Sequence, residues 1–409
     1  MLSLSFMFMG NRRFSYMSDK RFIVERGYLP LLEAMRAYPQ VRADICPSGY
    51  STLKWLEESP EVVDAIRRGI AEGRLANSTN GFEHVYLPTI SMRVQEMLIR
   101  KGVEVDRCVY GRQPGGFWAS DCAWDSTVIK PLVENGVRWA YSSGWLEHSN
   151  PGGPYYTDWR QLDLFQPTFV RGPAGTRLPV IHSHPTNYDI LLEEGAGPWA
   201  LSYETLLATL RERAASGNDG LFLIAMDFEC LAVLECEQWR DKKRKPFSRL
   251  LDDLSALPGA QFEFVDEYLT RHPPEATVCL REYPPFDSKS WESGCKKLDT
   301  TCRQAEALIV EIEDWLAACP ELATPAVAAR LDTLWERLLL SLQSEPRMTG
   351  YGFQWDRTDN RNQCRDHCLI YPPDEMVLEA INDALAAWEG ARALKRQLLP
   401  QVLRAGCAA

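Results

Sequence analysis

The sequence lacks two features that would point to nucleic acid or to a membrane. It has no excess of positive charge, because 45 Lys and Arg stand against 56 Asp and Glu, a net charge of −11. Binding to a phosphate backbone requires basic patches, and the one basic run, Arg240–Lys245, is typical of a solvated loop. No apolar run reaches the roughly 18 residues of a membrane span. We therefore expect neither a nucleic-acid partner nor a membrane partner.

Recognisable targeting and oxidation signals are also missing. The apolar start, MLSLSFMFMG, has no basic region and no small-residue cleavage site, which predicts a first core strand and not a signal peptide. The twelve cysteines follow no framework spacing, which is typical of reduced thiols in a cytosolic protein. Cys364, His367 and Cys368 suggest zinc, but no fourth ligand with suitable spacing is evident. We expect a cytoplasmic protein without a bound metal.

What is present over residues 1–298 is an alternation of short apolar runs with stretches of helical periodicity. Strands that alternate with helices imply parallel pairing through right-handed crossovers, and so predict an α/β barrel. A barrel brings the carboxyl ends of its strands and the loops after them to one face, where its active site lies. The predicted strands are Leu4–Met9, Val41–Ile45, Arg74–Ser78, Val137–Tyr141, Leu221–Met226 and Phe262–Val265.

Residues 299–409 have a different pattern. Three long amphipathic segments cover residues 302–318, 325–342 and 374–398. An irregular aromatic stretch, residues 344–371, lies between the second and the third. The pattern predicts a helical bundle that packs against the barrel and donates the aromatic stretch to its rim.

The first carboxyl motif follows a fully apolar run. Leu221–Met226 leads directly into Asp227, and Glu229 comes two residues later. Alternate residues of a strand share a face, so we expect Asp227 and Glu229 to point into one site. The alternative interpretation is an acid at a strand end that only caps the helix that follows.

The second motif is an acid between two tryptophans. The stretch PGGFWASDCAWD places Asp121 between Trp118 and Trp124. A carboxyl group among aromatic rings is costly to bury unless it is paired or used. Asp125 comes directly before the next predicted helix, and we assign it as the N-cap. Asp121 is then the functional candidate of this motif.

Two carboxyl groups at the mouth of one barrel suit the hydrolysis of glycosides. One group attacks or stabilises the anomeric carbon, while the other donates a proton to the leaving oxygen. The thirteen tryptophans fit a carbohydrate substrate, since sugar rings stack on aromatic faces. Trp118, Trp124 and Trp355 fall in loop-like positions, although any one of them could simply pack in the core.

Two further polar clusters have two interpretations each, substrate binding or a local structural role. The stretch IHSHPTNYD carries His182, His184 and Asp189, and His-x-His with a nearby Asp is also a metal-ligand pattern. Glu83 and His84 follow a predicted strand. We include Glu83, His84 and His182 as candidate substrate-binding residues.

The motifs around Asp121 and Asp227, taken together, resemble glycoside hydrolase family 57. The order and spacing of the motifs match over most of the chain, from the first strand to the region of Trp355. Four spans carry the resemblance: the strand end near Asn11, Gly73–Pro88, Trp118–Trp124 and Met226–Glu229.

The resemblance implies an incomplete seven-stranded (β/α) barrel followed by helices. It also implies a retaining reaction on α-glucans or related α-linked sugars, without a metal or cofactor. Asp121 then occupies the place of a glutamate nucleophile and Asp227 that of the general acid/base, while His84 falls in a substrate-binding region. Glu229 is expected to keep Asp227 protonated, because neighbouring carboxyl groups resist joint ionisation.

The sequence departs from the family pattern at four places, and one of them is the glycine after the Asp-x-Glu motif, which is replaced around Leu231 and Ala232. The histidines of the first motif are absent from Met7–Arg13, where Asn11 stands in, and Ala76 occupies the place of an expected glutamate. Asp121 is one methylene shorter than glutamate, roughly 1.5 Å of reach. Family 38 α-mannosidases, a more distant likeness, use an aspartate at the like position but need a zinc site that this chain lacks.

Three functions therefore remain open from the sequence. The first is a retaining glycoside hydrolase or transglycosidase acting on α-linked sugars. The second is a degenerate barrel that binds glycans without hydrolysis. The third is a metal-dependent deacetylase-like hydrolase that uses Asp227, His182 and His184.

Overall fold

The structure is a computed structural model, and its described part divides into two units. The described residues of the first unit fall within Met1–Phe82 and Leu87–Pro285, and those of the second within Glu83–Tyr86, Phe286–Arg357 and Tyr371–Ala409. The described residues are 1–12, 19–143, 163–183, 186, 188–193, 201–235, 242–278, 280, 295–344, 346–347 and 374–405.

Parallel strands form the centre of the first unit. One sheet has the order β3-β2-β1-β8, with β9 beside the first residues of β1, and the other has the order β10-β6-β7-β5-β4. The strands are β1 (Leu2–Gly10), β2 (Ala43–Pro47), β3 (Leu75–Asn77), β4 (Gly116–Trp118), β5 (Trp139–Ser143), β6 (Thr168–Arg171), β7 (Arg177–Ser183), β8 (Gly220–Asp227), β9 (Ala260–Phe262) and β10 (Thr277–Val278).

An incomplete parallel barrel is formed, as predicted, by seven of the described strands, namely β1 to β5, β7 and β8. Thr79 bridges to Phe117 in parallel and so joins the β3 side to β4. Between β7 and β8, side chains take the place of a backbone ladder. The hydroxyl of Ser183 accepts from the backbone N of Leu223 at 2.9 Å, and that of Thr186 accepts from the backbone N of Ala225 at 2.7 Å.

The barrel strands bury both faces, which is why they read as nearly continuous apolar runs. Phe6 and Phe8 of β1 pack in the layer between strands and helices, whereas Met7 and Met9 point into the barrel. Gly116 has no side chain because the ring of Trp139 approaches it closely; a Cβ there would lie 2.3 Å from that ring.

The helices of the first unit surround the strands, and two of the differences from the predicted strands and helices lie among them. The helix Met92–Tyr110 and the strand β7 are not predicted, and Phe262–Val265 is wrong as a strand at its end, since Val265 begins a helix. The helices are α1 (Lys20–Ile23), α2 (Leu29–Ala37), α3 (Gly49–Glu58), α4 (Pro60–Ala71), α5 (Met92–Tyr110), α6 (Ile129–Glu134), α7 (Tyr203–Ala215), α8 (Cys230–Val233), α9 (Phe247–Ser255) and α10 (Val265–Arg271).

The second unit contains three long helices, as predicted. They are α11 (Lys296–Ala318), α12 (Pro325–Ser341) and α13 (Asp374–Ala405). The indole N–H of Trp335 in α12 donates to Glu313 in α11 at 2.9 Å. The predicted boundary at residue 298 and the predicted packing on the barrel rim stay predictions.

Two further predictions, on membrane spans and on cysteines, can be compared with the structure. None of the helices in the described part combines the length and apolar character that crossing a membrane requires. Cys319 is disulfide-bonded, so the expectation of reduced thiols is wrong for this residue. Trp355 and the cluster of Cys364, His367 and Cys368 lie outside the described residues.

Candidate functional site

Asp227 is the last residue of β8, at the carboxyl end of the barrel. Its register partner in β1 is Met9, and the backbone N of the following Phe228 donates to the carbonyl of Met9 at 2.8 Å. Gly10 permits a close approach here, because a Cβ on it would lie 2.6 Å from the ring of Trp55. Asp227 is partly exposed, so its carboxyl group is held at a fixed strand end that solvent reaches.

Glu229 does not share the strand face of Asp227, contrary to the argument from alternation. The strand ends at Asp227, and Glu229 has helical dihedrals (φ −77°, ψ −1°) directly before α8. Its side chain is buried, with 1% exposed. The strand spacing that predicted a shared direction therefore does not apply, since the chain turns after Asp227.

Tyr28 is a buried neighbour of this strand end that sequence reasoning missed. It lies beside the end of β8, because its ring stacks on the ring of Phe228, with centroids 4.5 Å apart. Burial raises the pKa of Tyr28 well above its usual value, and the charges of Glu229 and Asp227 raise it further, while Arg12 lowers it. The phenol therefore stays protonated beside the two acids.

Asp121 lies on a short turn after β4. Asp121 (φ 53°, ψ 22°) and Cys122 (φ 54°) both have left-handed backbone. Such conformations cost of order 1–3 kcal/mol each in non-glycine residues, although aspartate tolerates them better than most side chains. Asp121 is partly exposed.

Asn80 lies between the two strand ends. Its amide N–H donates to the carbonyl of Trp118 at 2.5 Å and contacts Sδ of Met9 at 3.4 Å. Its amide oxygen accepts from the hydroxyl of Ser120 at 3.1 Å. The side chain therefore joins the end of β1 to the turn that carries Asp121.

The thiol of Cys122 is influenced by both candidate acids. It accepts a hydrogen bond from the indole N–H of Trp118 at 3.3 Å. Burial raises the pKa of Cys122 to about 12 against that hydrogen bond, and the charges of Asp121 and Asp227 raise it further.

The two tryptophans of the motif are buried. The ring of Trp118 meets Tyr141 edge-on, with centroids 5.0 Å apart, and the indole N–H of Trp124 donates to Ser126 at 2.9 Å. Asp125 is the N-cap, as predicted, because its carboxylate accepts from the backbone N of Thr127 at 2.9 Å. The expected stacking of a sugar on Trp118 or Trp124 stays a prediction.

The remaining candidate residues belong to different elements of the chain. Asn11 is buried directly after β1, and His182 is buried in β7, where its Nε2 lies 2.7 Å from the hydroxyl of Thr168. Glu83 and His84 belong to the second unit, and Nδ1 of His84 lies 2.8 Å from the hydroxyl of Ser344. The sequence did not predict the strand that carries His182.

Among the described residues, no group of three or more His, Cys, Asp and Glu is arranged to hold a metal ion. Asp227 and His182 are described, whereas His184 lies outside the described residues. The metal-dependent alternative therefore stays a prediction.

A barrel of seven parallel strands with carboxyl groups at its carboxyl-terminal mouth defines the class of (β/α) barrels in which loops after the strands carry the chemistry. Within that class, the chain belongs to glycosyl hydrolase family 57, whose family model matches residues 9–281, more than half of the chain.

Individual relatives agree with the family. An α-amylase of Pyrococcus horikoshii is 27% identical over 143 residues, which are 33% of this chain and 22% of the amylase. The match thus spans about a fifth of that relative. A family 57 branching enzyme of Pyrococcus horikoshii superposes with a TM-score of 0.64 at 14% identity, covering 98% of this chain and 91% of the enzyme.

A more distant likeness reaches family 38. A protein of that family from Enterococcus faecalis superposes with a TM-score of 0.52 at 14% identity, covering 97% of this chain and 40% of the other. At this identity the likeness concerns the fold alone.

Proposed function

We propose that this protein is a retaining glycoside hydrolase or transglycosidase that acts on α-linked glucans. The observation that carries the proposal is that two aspartates lie at the carboxyl ends of strands of one barrel, Asp227 at the end of β8 and Asp121 in the turn after β4. The two acids are more than a hundred residues apart in sequence, and the amide of Asn80 contacts both Met9, the register partner of Asp227, and Trp118 at the end of β4.

The two carboxyl groups have different roles in this proposal. Asp121 attacks the anomeric carbon and forms a covalent glycosyl ester, while Asp227 gives its proton to the leaving oxygen as that bond breaks. Asp227 then removes a proton from water, or from a sugar hydroxyl, which attacks the anomeric carbon and releases Asp121. The reaction requires carboxyl groups about 5–5.5 Å apart.

The surroundings of Asp227 support its role as the acid. Glu229 is buried, with 1% exposed, and both acids act on the buried phenol of Tyr28. Two nearby carboxyl groups resist joint ionisation, and in this proposal Asp227, which is partly exposed, passes the proton to the leaving oxygen.

The left-handed backbone at residue 121 supports aspartate as the nucleophile. Glutamate has no short polar side chain to hydrogen-bond locally and is less favourable at φ 53°. The shorter acid therefore fits this turn, and the turn must bring it forward by the reach that the missing methylene removes.

The substrate class is proposed from relatives. The amylase and the branching enzyme that resemble this chain are named for reactions on α-glucans. We extend this to α-linked glucose oligomers as substrates, with water or a sugar hydroxyl as acceptor, in a protein that needs no metal or cofactor. A cytoplasmic location remains part of the proposal.

A screen of aryl α- and β-glycosides and α-glucan oligomers tests the proposal, with NMR used to follow the anomeric configuration of the first product. We expect turnover of α-glucosides with retention. Turnover with inversion, or turnover of β-glycosides alone, would contradict it.

A second candidate, a barrel that binds glycans without hydrolysis, is favoured by the first strand end. That end carries Met9 and the buried Asn11, where the family pattern has sugar-binding histidines. Binding of α-glucan oligomers by calorimetry, with no product after prolonged incubation, would support this candidate over the enzyme.

A further inference from the structure

Asn80 is a buried amide with no place in the proposed reaction itself. It lies three residues after β3 and is 1% exposed. Its backbone N donates to the carbonyl of Pro47 at the end of β2, at 3.4 Å. This backbone hydrogen bond fixes the position of Asn80 independently of its side-chain contacts.

The partners of the Asn80 side chain set the orientation of its amide. The carbonyl of Trp118 can only accept, so the amide nitrogen faces it at 2.5 Å. The amide oxygen then faces the hydroxyl of Ser120, which donates at 3.1 Å. A primary amide offers both a donor and an acceptor, and here each serves a different residue of the segment that leads to Asp121.

The turn that Asn80 holds is under backbone strain. Asp121 and Cys122 are consecutive left-handed residues without glycine. Within the turn, the backbone N of Cys122 donates to Ala119 at 3.0 Å and that of Ala123 to Ser120 at 2.9 Å. Strain of this kind persists where the surroundings over-determine the conformation, and Asn80 supplies hydrogen bonds from outside the turn.

The same amide reaches the strand pair that carries the other acid. Its nitrogen lies 3.4 Å from Sδ of Met9, and Met9 is the register partner of Asp227. One side chain thus contacts both the segment that leads to Asp121 and the strand that pairs with the strand of Asp227.

We propose that Asn80 is a positioning residue that holds the Asp121 turn at a fixed distance from Asp227. Its effect on catalysis rests on the proposed function, whereas its effect on the turn does not. Because a misplacement of about 1 Å can cost on the order of a hundredfold in rate, Asn80 would act on the turnover step and not on substrate affinity.

The first test compares Asn80→Ala with Asn77→Ala. Asn77 is a matched control, a buried asparagine of β3 whose amide donates to the carbonyl of Arg112 at 3.4 Å, away from the turn. We expect Asn80→Ala to lower kcat by about tenfold to a hundredfold with KM within about twofold. Asn77→Ala should keep both constants near wild type. Equal losses in the two variants, or a change in KM alone, would overturn the proposal.

A milder variant covers the case in which Asn80→Ala does not fold. Ser120→Ala removes one of the hydrogen bonds and leaves the Trp118 contact. We expect a loss in kcat of a few-fold, about the effect of one neutral hydrogen bond, again with KM unchanged. An unchanged kcat in this variant would count against the proposal.

The second test needs no turnover at all. Iodoacetamide alkylation of the folded proteins is followed for each cysteine by peptide mass spectrometry. In Asn80→Ala, local opening of the turn should raise the rate at Cys122 by about tenfold or more, while buried Cys230 stays protected. If both cysteines react faster together, or neither changes, Asn80 does not hold the turn. A wild-type protein without glycosidase activity would defeat the proposed function and leave this test intact.

Discussion

The two acids of the candidate site lie on very different pieces of backbone. Asp227 ends an eight-residue strand that stays in register with β1 along its whole length. Asp121 follows a three-residue strand and stands in a left-handed turn. The position of Asp227 is set by a regular ladder, whereas that of Asp121 depends on side chains from elsewhere, above all Asn80.

This difference separates what each acid can tolerate. A substitution at Asp227 changes the chemistry and leaves the ladder in place. A substitution at Asp121 changes both the chemistry and the strain of the turn. The variants below are chosen to separate these two effects.

The largest effect is expected for Asp121→Gly. Glycine adopts φ 53° without strain, so the turn is kept while the nucleophile is lost. Turnover of an activated aryl α-glucoside should fall on the order of 10⁶-fold, the scale seen when a serine hydrolase loses its nucleophile. Added azide should restore part of it and give a glycosyl azide of inverted anomeric configuration. Full activity without azide would show that Asp121 is not the nucleophile.

A loss on the order of 10³-fold is expected for Asp227→Asn, because general acid catalysis contributes about 10²–10⁴. The loss should be largest for substrates with poor leaving groups, which need the proton most. Urea denaturation should give an unchanged free energy of unfolding. If turnover persists with the protein folded, the acid role belongs to another group.

Asp44 serves as a control for the two candidate acids. It is an acidic residue of the barrel, but it does not lie at the strand ends that carry Asp121 and Asp227. It lies at the second residue of β2 and accepts from the hydroxyl of Ser78 at 2.7 Å. Burial raises the pKa of Asp44 from 3.8 to about 7, against the hydrogen bond from Ser78, with a further rise from Asp266 and a decrease from Arg138.

The raised pKa of Asp44 links stability to pH. The folded protein binds the proton more tightly than the unfolded chain, so the free energy of unfolding falls as pH rises from 3.8 to about 7. Asp44→Asn should remove this dependence and stabilise the protein above pH 7, by up to about 4 kcal/mol. Urea denaturation at pH 5 and pH 8.5 measures both. An equal change in the free energy of unfolding at the two pH values would contradict the raised pKa of Asp44. Turnover by Asp44→Asn should stay near wild type.

The smallest effect is expected for Asp121→Glu. The longer acid restores the length that the family pattern has, but it is less tolerant of the left-handed backbone. We expect a loss of about 1 kcal/mol in the free energy of unfolding, with measurable turnover retained. A variant as stable as wild type would mean that the turn places no constraint on the side chain at this position.

The sequence predicted those parts of the molecule that depend on local pattern. The strand before Asp227, the cap at Asp125 and the three long helices of the second unit follow from apolar periodicity and capping residues. The direction of Glu229 could not be predicted, because nothing local shows that β8 ends at Asp227 and that the chain turns there.

The contacts that hold the Asp121 turn also could not be predicted from local sequence. Asn80 lies some forty residues before the turn and resembles any loop asparagine until the strands bring it to Trp118 and Ser120. Tyr28 likewise meets the acids only through its packing on Phe228. Contacts of long sequence separation leave no periodic signal, and the site depends on them.

The most direct measurement is to trap the glycosyl-enzyme. A fluorinated α-glucosyl fluoride that forms the intermediate quickly and releases it slowly is incubated with the protein, and the labelled peptide is sequenced by mass spectrometry. Our account predicts one sugar, attached to Asp121. A sugar on Asp227 or Glu229, or steady turnover of α-glucosides with no labelled carboxyl group, would contradict it.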